Sequence, residues 1–176
     1  MASSREKLGS SQPTKYYSEK QETMIAESLG WQVVSGSGSR ACHPGDIVSD
    51  EWLGECKTHT SPTDRIVFKL YDWKKICDEA SQVFKYPILF TDDGSQKLQT
   101  TWCMIKLISI PPLNRQIRII TSEQAVSVKS LSIDFRELSY RYSRIFGYDT
   151  IGIFQYNWNS ESVGILPLTK FIQLFR

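Results

Sequence analysis

The sequence predicts an α/β protein in which helices flank a small mixed β-sheet. The main observation is the hydrophobic periodicity, which alternates between helical and extended patterns along the first half of the chain. The resulting order is helix, strand, hairpin, helix, strand. The composition agrees, because 40% apolar and 23% charged residues are ordinary values for a soluble globular protein. A chain of 176 residues can also bury one hydrophobic core but not two full-sized ones.

The first predicted element is an amphipathic helix over residues 15–29 that ends at Gly30. Its apolar positions recur at helical spacing and are Tyr17, Met24, Ile25 and Leu29. Residues 1–13 are polar, and we expect them to form a disordered leader.

A β-hairpin is predicted after this helix. A short apolar strand over 31–34 leads into the serine-glycine loop 35–40, which is too rich in glycine for a helix or a strand. Two extended segments, 46–48 and 52–57, then flank a polar turn, as the strands of a hairpin do. The remaining predicted elements are a helix from about 69 to 84, strands over 86–90, 101–110, 116–121, 150–156 and 163–166, and helices over 133–146 and 168–175.

Charge and cysteine content exclude several classes of protein. A net charge of +2 is too small for a protein that coats duplex DNA, so any contact with nucleic acid must come from a local patch. The cysteines show no Cys-x-x-Cys spacing that would indicate zinc, and we expect reduced thiols at Cys42, Cys56, Cys77 and Cys103. The sequence has neither a signal peptide nor an apolar run of about 20 residues. These features predict a cytoplasmic protein that does not enter a membrane.

Three side chains of the predicted hairpin suggest a chemistry. Glu55 and Lys57 are two residues apart on a strand, so they project from the same face while Cys56 projects from the other. Asp46 lies on the partner strand and can face the same side. Two neighbouring carboxylates repel unless a cation neutralises them, and their oxygens are ligands that Mg²⁺ accepts. A metal bound there can polarise a phosphate, and a lysine can position the attacking water.

An exposed, salt-bridged sheet face is the commoner explanation of Glu-x-Lys taken alone. The wider sequence order favours a functional site. It resembles the PD-(D/E)XK nuclease superfamily, and more closely its Holliday-junction-resolvase-like members from archaea and bacteriophages. The resemblance covers residues 17–92, and its motifs in order are Glu22, the run Ser35-Gly36-Ser37-Gly38-Ser39, Gly45-Asp46-Ile47, Glu55-Cys56-Lys57-Thr58 and Trp73-Lys74-Lys75-Ile76. Gly45 stands where the family name suggests proline, as is common in the resolvase-like branch.

The resemblance implies a metal-dependent, structure-selective endodeoxyribonuclease that cuts branched or duplex DNA. Mg²⁺, or Mn²⁺ in its place, would bind Asp46, Glu55 and the backbone carbonyl of Cys56. Glu22 would support the metal, with Glu19 as its rival, and Lys57 would position the nucleophilic water. Resolvases of this kind act as two-fold homodimers, since a four-way junction presents two symmetric strands.

The fold implied by the resemblance is a restriction-endonuclease-like mixed β-sheet flanked by helices, with a C-terminal α+β extension. The nuclease core would span 14–110 after the leader. The extension, 111–176, would pack on the core and supply elements for DNA binding or dimerisation.

Candidate DNA-binding residues lie in the serine-glycine loop and around the second helix. They are Ser37, Ser39, Arg40, Lys69 and Lys74. A flexible connection and a solvated helix face are the plainer interpretations. Basic residues also outnumber acidic ones in the second half, which suits either a DNA-binding surface or an ordinary charged helix face.

Two other functions stay open at the level of sequence. A homing, restriction-like or repair endonuclease would use the same core but read a duplex sequence through groups presented to a groove. A DNA-binding protein could instead have kept a nuclease fold without catalysis. The presence of every expected acidic and basic residue counts against this last alternative.

Overall fold

A computed structural model describes residues 13–35, 44–110, 117–126 and 129–175. These residues form a mixed sheet flanked by helices, which confirms the α/β class. The helices are α1 (Thr14–Leu29), α2 (Leu70–Gln82), α3 (Phe135–Phe146) and α4 (Leu168–Phe175). The strands are β1 (Gln32–Val33), β2 (Ile47–Val48), β3 (Trp52–Lys57), β4 (Arg65–Lys69), β5 (Tyr86–Thr91), β6 (Trp102–Lys106), β7 (Ile117–Val126), β8 (Ser130–Asp134), β9 (Ile151–Trp158) and β10 (Glu161–Pro167). Apart from Pro13, the predicted leader lies outside the described residues.

Eight of the strands form one sheet, in the order β1-β2-β3-β5-β6-β10-β9-β7. Strands β2 and β3 pair antiparallel as the predicted hairpin, while β3 and β5 run parallel because α2 crosses between them. Strand β6 pairs antiparallel with both β5 and β10. The sheet therefore continues without a break from the candidate site into strands that follow residue 110.

The sheet separates two hydrophobic cores. One face packs against α2 and α3 and includes Leu53, Trp73 and Ile76. The other packs against α1 and α4, where Trp52 and Cys56 are buried. Alternate residues of β3 therefore enter different cores, as expected for a strand covered on both faces.

Strands β4 and β8 form a separate two-stranded sheet that the sequence analysis missed. We predicted helices from residues 69 and 133, whereas α2 starts at Leu70 and α3 at Phe135. Both helices are preceded by a strand whose partner is more than sixty residues away in the chain. Such pairing leaves only a weak local signal, which here is the alternation of buried Ile66 and Phe68 with less buried neighbours.

Two strand boundaries also differ from the prediction. Strand β6 ends at Lys106 rather than Ile110, because residues 107–109 turn into a short 3₁₀-helix. Strand β7 continues to Val126 along β9, past the predicted end at Thr121.

Other sequence expectations concern cysteines and membranes. Cys56 and Cys103 are buried free thiols, and Cys77 is a partly buried one. Cys42 lies outside the described residues. Among the helices of the described ranges, none is long and apolar enough to cross a membrane.

We predict that Gly152→Ala lowers the free energy of unfolding by about 2 kcal/mol. A Cβ at Gly152 would lie 2.1 Å from the Phe146 ring. The peptide groups of Gly152 are also fixed, because its amide donates to the Tyr142 hydroxyl and its carbonyl accepts from it. Urea denaturation of Gly152→Ala, of Phe146→Ala and of the double variant measures the energy of the steric contact between the new methyl group and the ring. Removal of the Phe146 ring should lower the free energy of unfolding less in the Gly152→Ala background than in the unaltered protein. Strictly additive losses would show that the two groups do not clash.

Candidate active site

The candidate site includes Gly45 and Asp46, which immediately precede β2 and contact β3. Gly45 has a φ of +70°, and a Cβ there would lie 2.8 Å from Cγ of Leu53, so the turn requires glycine. The Asp46 amide donates to the Gly54 carbonyl at 2.8 Å. Its side-chain Oδ2 accepts from the Cys56 amide at 2.8 Å. The Asp46 carboxylate is thus fixed against β3 at the residue between Glu55 and Lys57.

Glu55 and Lys57 share one face of β3, as their spacing predicts. The Lys57 Nζ donates to Glu55 Oε1 at 2.5 Å. Glu55 is only 2% exposed, whereas the Lys57 side chain is 40% exposed. The site therefore combines a buried carboxylate with an ammonium group that solvent can reach.

Lys75 of α2 is a second cation on the same carboxylate. Its Nζ donates to Glu55 Oε2 at 2.9 Å and to Oε1 at 3.0 Å. Lys75 also lies 3.7 Å from Glu79, and the other oxygen of Glu79 accepts from the Gly45 amide at 3.0 Å. Helix α2 is thereby joined both to Glu55 and to the turn that precedes Asp46.

The sequence analysis named Lys75 only as part of the run Trp73-Lys74-Lys75-Ile76, and it gave Glu79 no role. Their signal is the helical spacing of Asp72, Lys75, Ile76 and Glu79, which places them on one stripe of α2 that includes the buried Asp72 and Ile76.

Both lysines retain their protons at neutral pH. Burial alone lowers the pKa of Lys57, but the charge and hydrogen bond of Glu55, together with the charge of Asp46, raise it overall. The pKa of Lys75 is raised in the same way, since its bond to Glu55 and the charges of Glu55 and Glu79 outweigh burial. Glu55 is therefore held between two charged ammonium groups.

Glu22 on α1 is electrostatically coupled to the acids of the hairpin. Burial raises its pKa from 4.5 to about 7, and the next cause is the negative charge of Asp46, followed by that of Glu19. Glu19 itself is exposed and pairs with Lys15 one turn earlier, at 3.4 Å. The electrostatic coupling to Asp46 thus favours Glu22 over its rival.

Gln21, next to Glu22, is a site residue that the sequence analysis missed. It is fully buried, and its Nε2 donates to the Lys57 carbonyl at 2.9 Å. Its Oε1 is also buried and has no hydrogen-bond partner among the described residues. The available signal is its place four residues before buried Ile25, where the apolar stripe of the helix carries an amide instead.

The site contains carboxylate oxygens, which are the type of ligand that a hard divalent cation prefers. The carboxylates of Glu22, Asp46, Glu55 and Glu79 outnumber the ammonium groups of Lys57 and Lys75 by two, and carboxylate oxygens are ligands that suit Mg²⁺. No three His, Cys, Asp or Glu side chains in the described part of the chain already surround a common point. Glu55 instead directs both oxygens at lysines.

The other predicted site residues are spread more widely. The Cys56 amide donates to Asp46, and burial raises the pKa of the Cys56 thiol well above the usual value. The backbone carbonyl is therefore the group of Cys56 that is considered as a metal ligand. Lys69 is exposed at the end of β4, and Lys74 is exposed on α2. Ser37, Ser39 and Arg40 lie outside the described residues.

Comparisons of the chain with protein-family models, curated proteins and solved structures found no match. The chemistry of the site and the sequence resemblance are therefore the grounds for a function.

Replacing Glu22 tests the acidic character of the site. A carboxyl group whose pKa is raised on folding favours the folded state at low pH, and that contribution is lost as the pH rises from 4.5 to about 7. We therefore expect Glu22→Gln to stabilise the metal-free protein at pH 8 by roughly 1 kcal/mol, allowing for the partial exposure of this carboxyl group. The gain should be absent at pH 4.

Urea denaturation at the two pH values, without divalent metal, measures this difference. Glu19→Gln is the matched control, because Glu19 is exposed on the same helix. An equal effect of Glu22→Gln at both pH values, or an equal gain in the control, would contradict the assignment.

Proposed function

We propose that the protein is a Mg²⁺-dependent endodeoxyribonuclease that hydrolyses phosphodiester bonds in branched or duplex DNA. The observation that carries the proposal is the arrangement on β3, where Glu55 and Lys57 share a face and Asp46 is bonded to the amide between them. This combination places carboxylate oxygens beside an accessible ammonium group, which suits metal-assisted phosphodiester hydrolysis.

The sequence resemblance supports the same conclusion. Its motif residues Glu22, Asp46, Glu55 and Lys57 come from α1 and from the β2–β3 hairpin, and their charges influence one another. The order α1, β1, β2, β3, α2, β5 agrees with a restriction-endonuclease-like core, although β4 is inserted before α2. On the basis of this order, we propose that the chain has a restriction-endonuclease-like core.

The proposed metal ligands are Asp46, Glu55 and the carbonyl of Cys56, with Glu22 in support. Mg²⁺, or Mn²⁺ in its place, would supply Lewis-acid polarisation of the phosphate and would lower the pKa of a bound water. The unpartnered Oε1 of Gln21 is an acceptor suited to a water of the site, because the same amide group contacts the Lys57 carbonyl.

Lys57 has the proposed role of orienting the attacking water and stabilising charge on the phosphate. Its ammonium group is protonated and partly exposed, so it donates hydrogen bonds but does not accept a proton. Gln21 holds the backbone at Lys57, and Glu55 holds the side chain. Both contacts reduce the freedom of the ammonium group before substrate binds.

The proposed DNA surface includes Lys69 and Lys74. Lys69 and Arg65 are exposed on β4, while Ile66 and Phe68 between them anchor the strand in the core. Exposed basic groups on a rigid element suit contacts with phosphates, which set affinity and its dependence on salt. Ser37, Ser39 and Arg40 remain proposed contacts from the sequence.

A homodimer is part of the proposal for a four-way junction. The two strands cut in such a junction are related by two-fold symmetry, so two copies of the site would act together. A nuclease that reads linear duplex sequence is the alternative within the same chemistry. A panel of junction, flap, duplex and single-stranded DNA distinguishes these substrates.

We predict that Asp46→Asn, Glu55→Gln and Lys57→Met each reduce Mg²⁺-dependent cleavage about 100-fold or more. The first two changes remove a metal ligand, and the third removes the cation that orients water. The assay is single-turnover cleavage of the preferred DNA, with Mn²⁺ and EDTA as parallel conditions. Glu51→Gln is a suitable control, because Glu51 is exposed in the turn between β2 and β3. Full activity in any of the three variants would exclude that residue from the site.

Lys69→Ala and Lys74→Ala should weaken DNA binding by similar factors for all sequences. Each phosphate contact that is lost should reduce the slope of log affinity against log salt by about one. Fluorescence anisotropy with a labelled duplex in metal-free buffer separates binding from cleavage. Lys20→Ala is the control, because Lys20 is also exposed but belongs to α1 rather than to α2 or β4. An equal loss in the control would indicate general charge rather than this surface.

A further inference from the structure

Lys75 lies among carboxylate oxygens in the way that a bound cation does. Its Nζ is 2.9 and 3.0 Å from the two oxygens of Glu55, and 3.7 Å from Glu79. Lysine carries a compact point charge on a flexible stem, so it can take the position of a small inorganic cation between carboxylates.

This position bears on the number of metal ions in the site. Nucleases and phosphatases with two metals hold them about 3.5–4 Å apart and share carboxylate oxygens between them. Here Glu55 is the buried carboxylate with both oxygens directed at cations, and Lys75 binds both of those oxygens. A second metal ion on Glu55 would have to displace this ammonium group.

We propose that Lys75 is a positioning residue whose ammonium group serves as a fixed second cation, so that the site takes one divalent metal ion rather than two. The proposal rests on the metal site proposed above. Lys75 balances the charge of Glu55 from the side of α2, which leaves the Asp46 and Glu22 side for the divalent ion.

Lys75 also positions the acids on both strands of the hairpin. Glu79 connects it to the Gly45 amide, and Gly45 forms the turn that directs Asp46 towards β3. The helix is anchored by packing as well as by Lys75, because Trp73 and Ile76 are buried in the core. The Lys75 side chain remains 38% exposed, so its replacement leaves no buried cavity.

Metal stoichiometry provides a test that does not depend on DNA cleavage. Isothermal titration of the full chain with Mn²⁺ should give one bound ion for the unaltered protein and two for Lys75→Met, which keeps most of the side-chain length but removes the charge. Lys75→Arg retains the positive charge, and it should restore a single ion. Lys74→Met is the matched control, because Lys74 is the exposed neighbour of Lys75 on α2. This control variant should also bind one ion.

Circular dichroism establishes that each variant is folded, and Lys75→Gln replaces Lys75→Met if the latter is not. Two ions in the unaltered protein, or one ion in both Lys75→Met and Lys75→Gln, would overturn the proposal. If no ion binds the unaltered protein, the metal site and the role of Lys75 both fail. One ion that rises to two in the variant, without cleavage of any DNA, supports the role of Lys75 and rejects the nuclease activity alone.

Discussion

The buried carboxylate of Glu55 is the constraint on which the rest of the site depends. A charged group that is 2% exposed is costly to remove from water unless its oxygens are bonded and its charge is balanced. Lys57 meets this requirement from the same strand, and Lys75 meets it from α2. Loss of either partner would leave part of a buried charge uncompensated. Strand β3 and helix α2 are therefore held in one relative position by electrostatics as well as by packing.

The two hydrophobic cores fix which residues of β3 face the site. Leu53 enters the core beneath α2, while Trp52 and Cys56 enter the core beneath α1 and α4. A slip of one residue in the register would direct Glu55 among the aromatic rings of the second core, with no cation to balance it. Ordinary packing of apolar side chains thus selects the one register in which Glu55 and Lys57 meet Lys75.

The parts of the site that the sequence predicts are those set by local geometry. Alternation along one strand brings Glu55 and Lys57 together, and a three-residue turn returns the chain past Asp46. Lys75 and Gln21 could not be placed in this way, because their contacts depend on how α2 and α1 pack on the sheet. Strands β4 and β8 were missed for the same reason, since their pairing is set by distant parts of the chain. The functional roles of all these residues remain proposals.

The distribution of charge separates two kinds of carboxylate within the site. Glu55 is neutralised by lysines in the folded protein, whereas the pKa of Glu22 is raised by burial and by the nearby charge of Asp46. Repulsion between Glu22 and Asp46 is a cost of folding that a bound divalent ion would remove, so metal binding should draw its free energy mainly from this pair. Under the proposed function, Glu55 would then contribute less to metal affinity than to the positions of the groups around it. It would keep the ammonium groups of Lys57 and Lys75 in place beside the metal site.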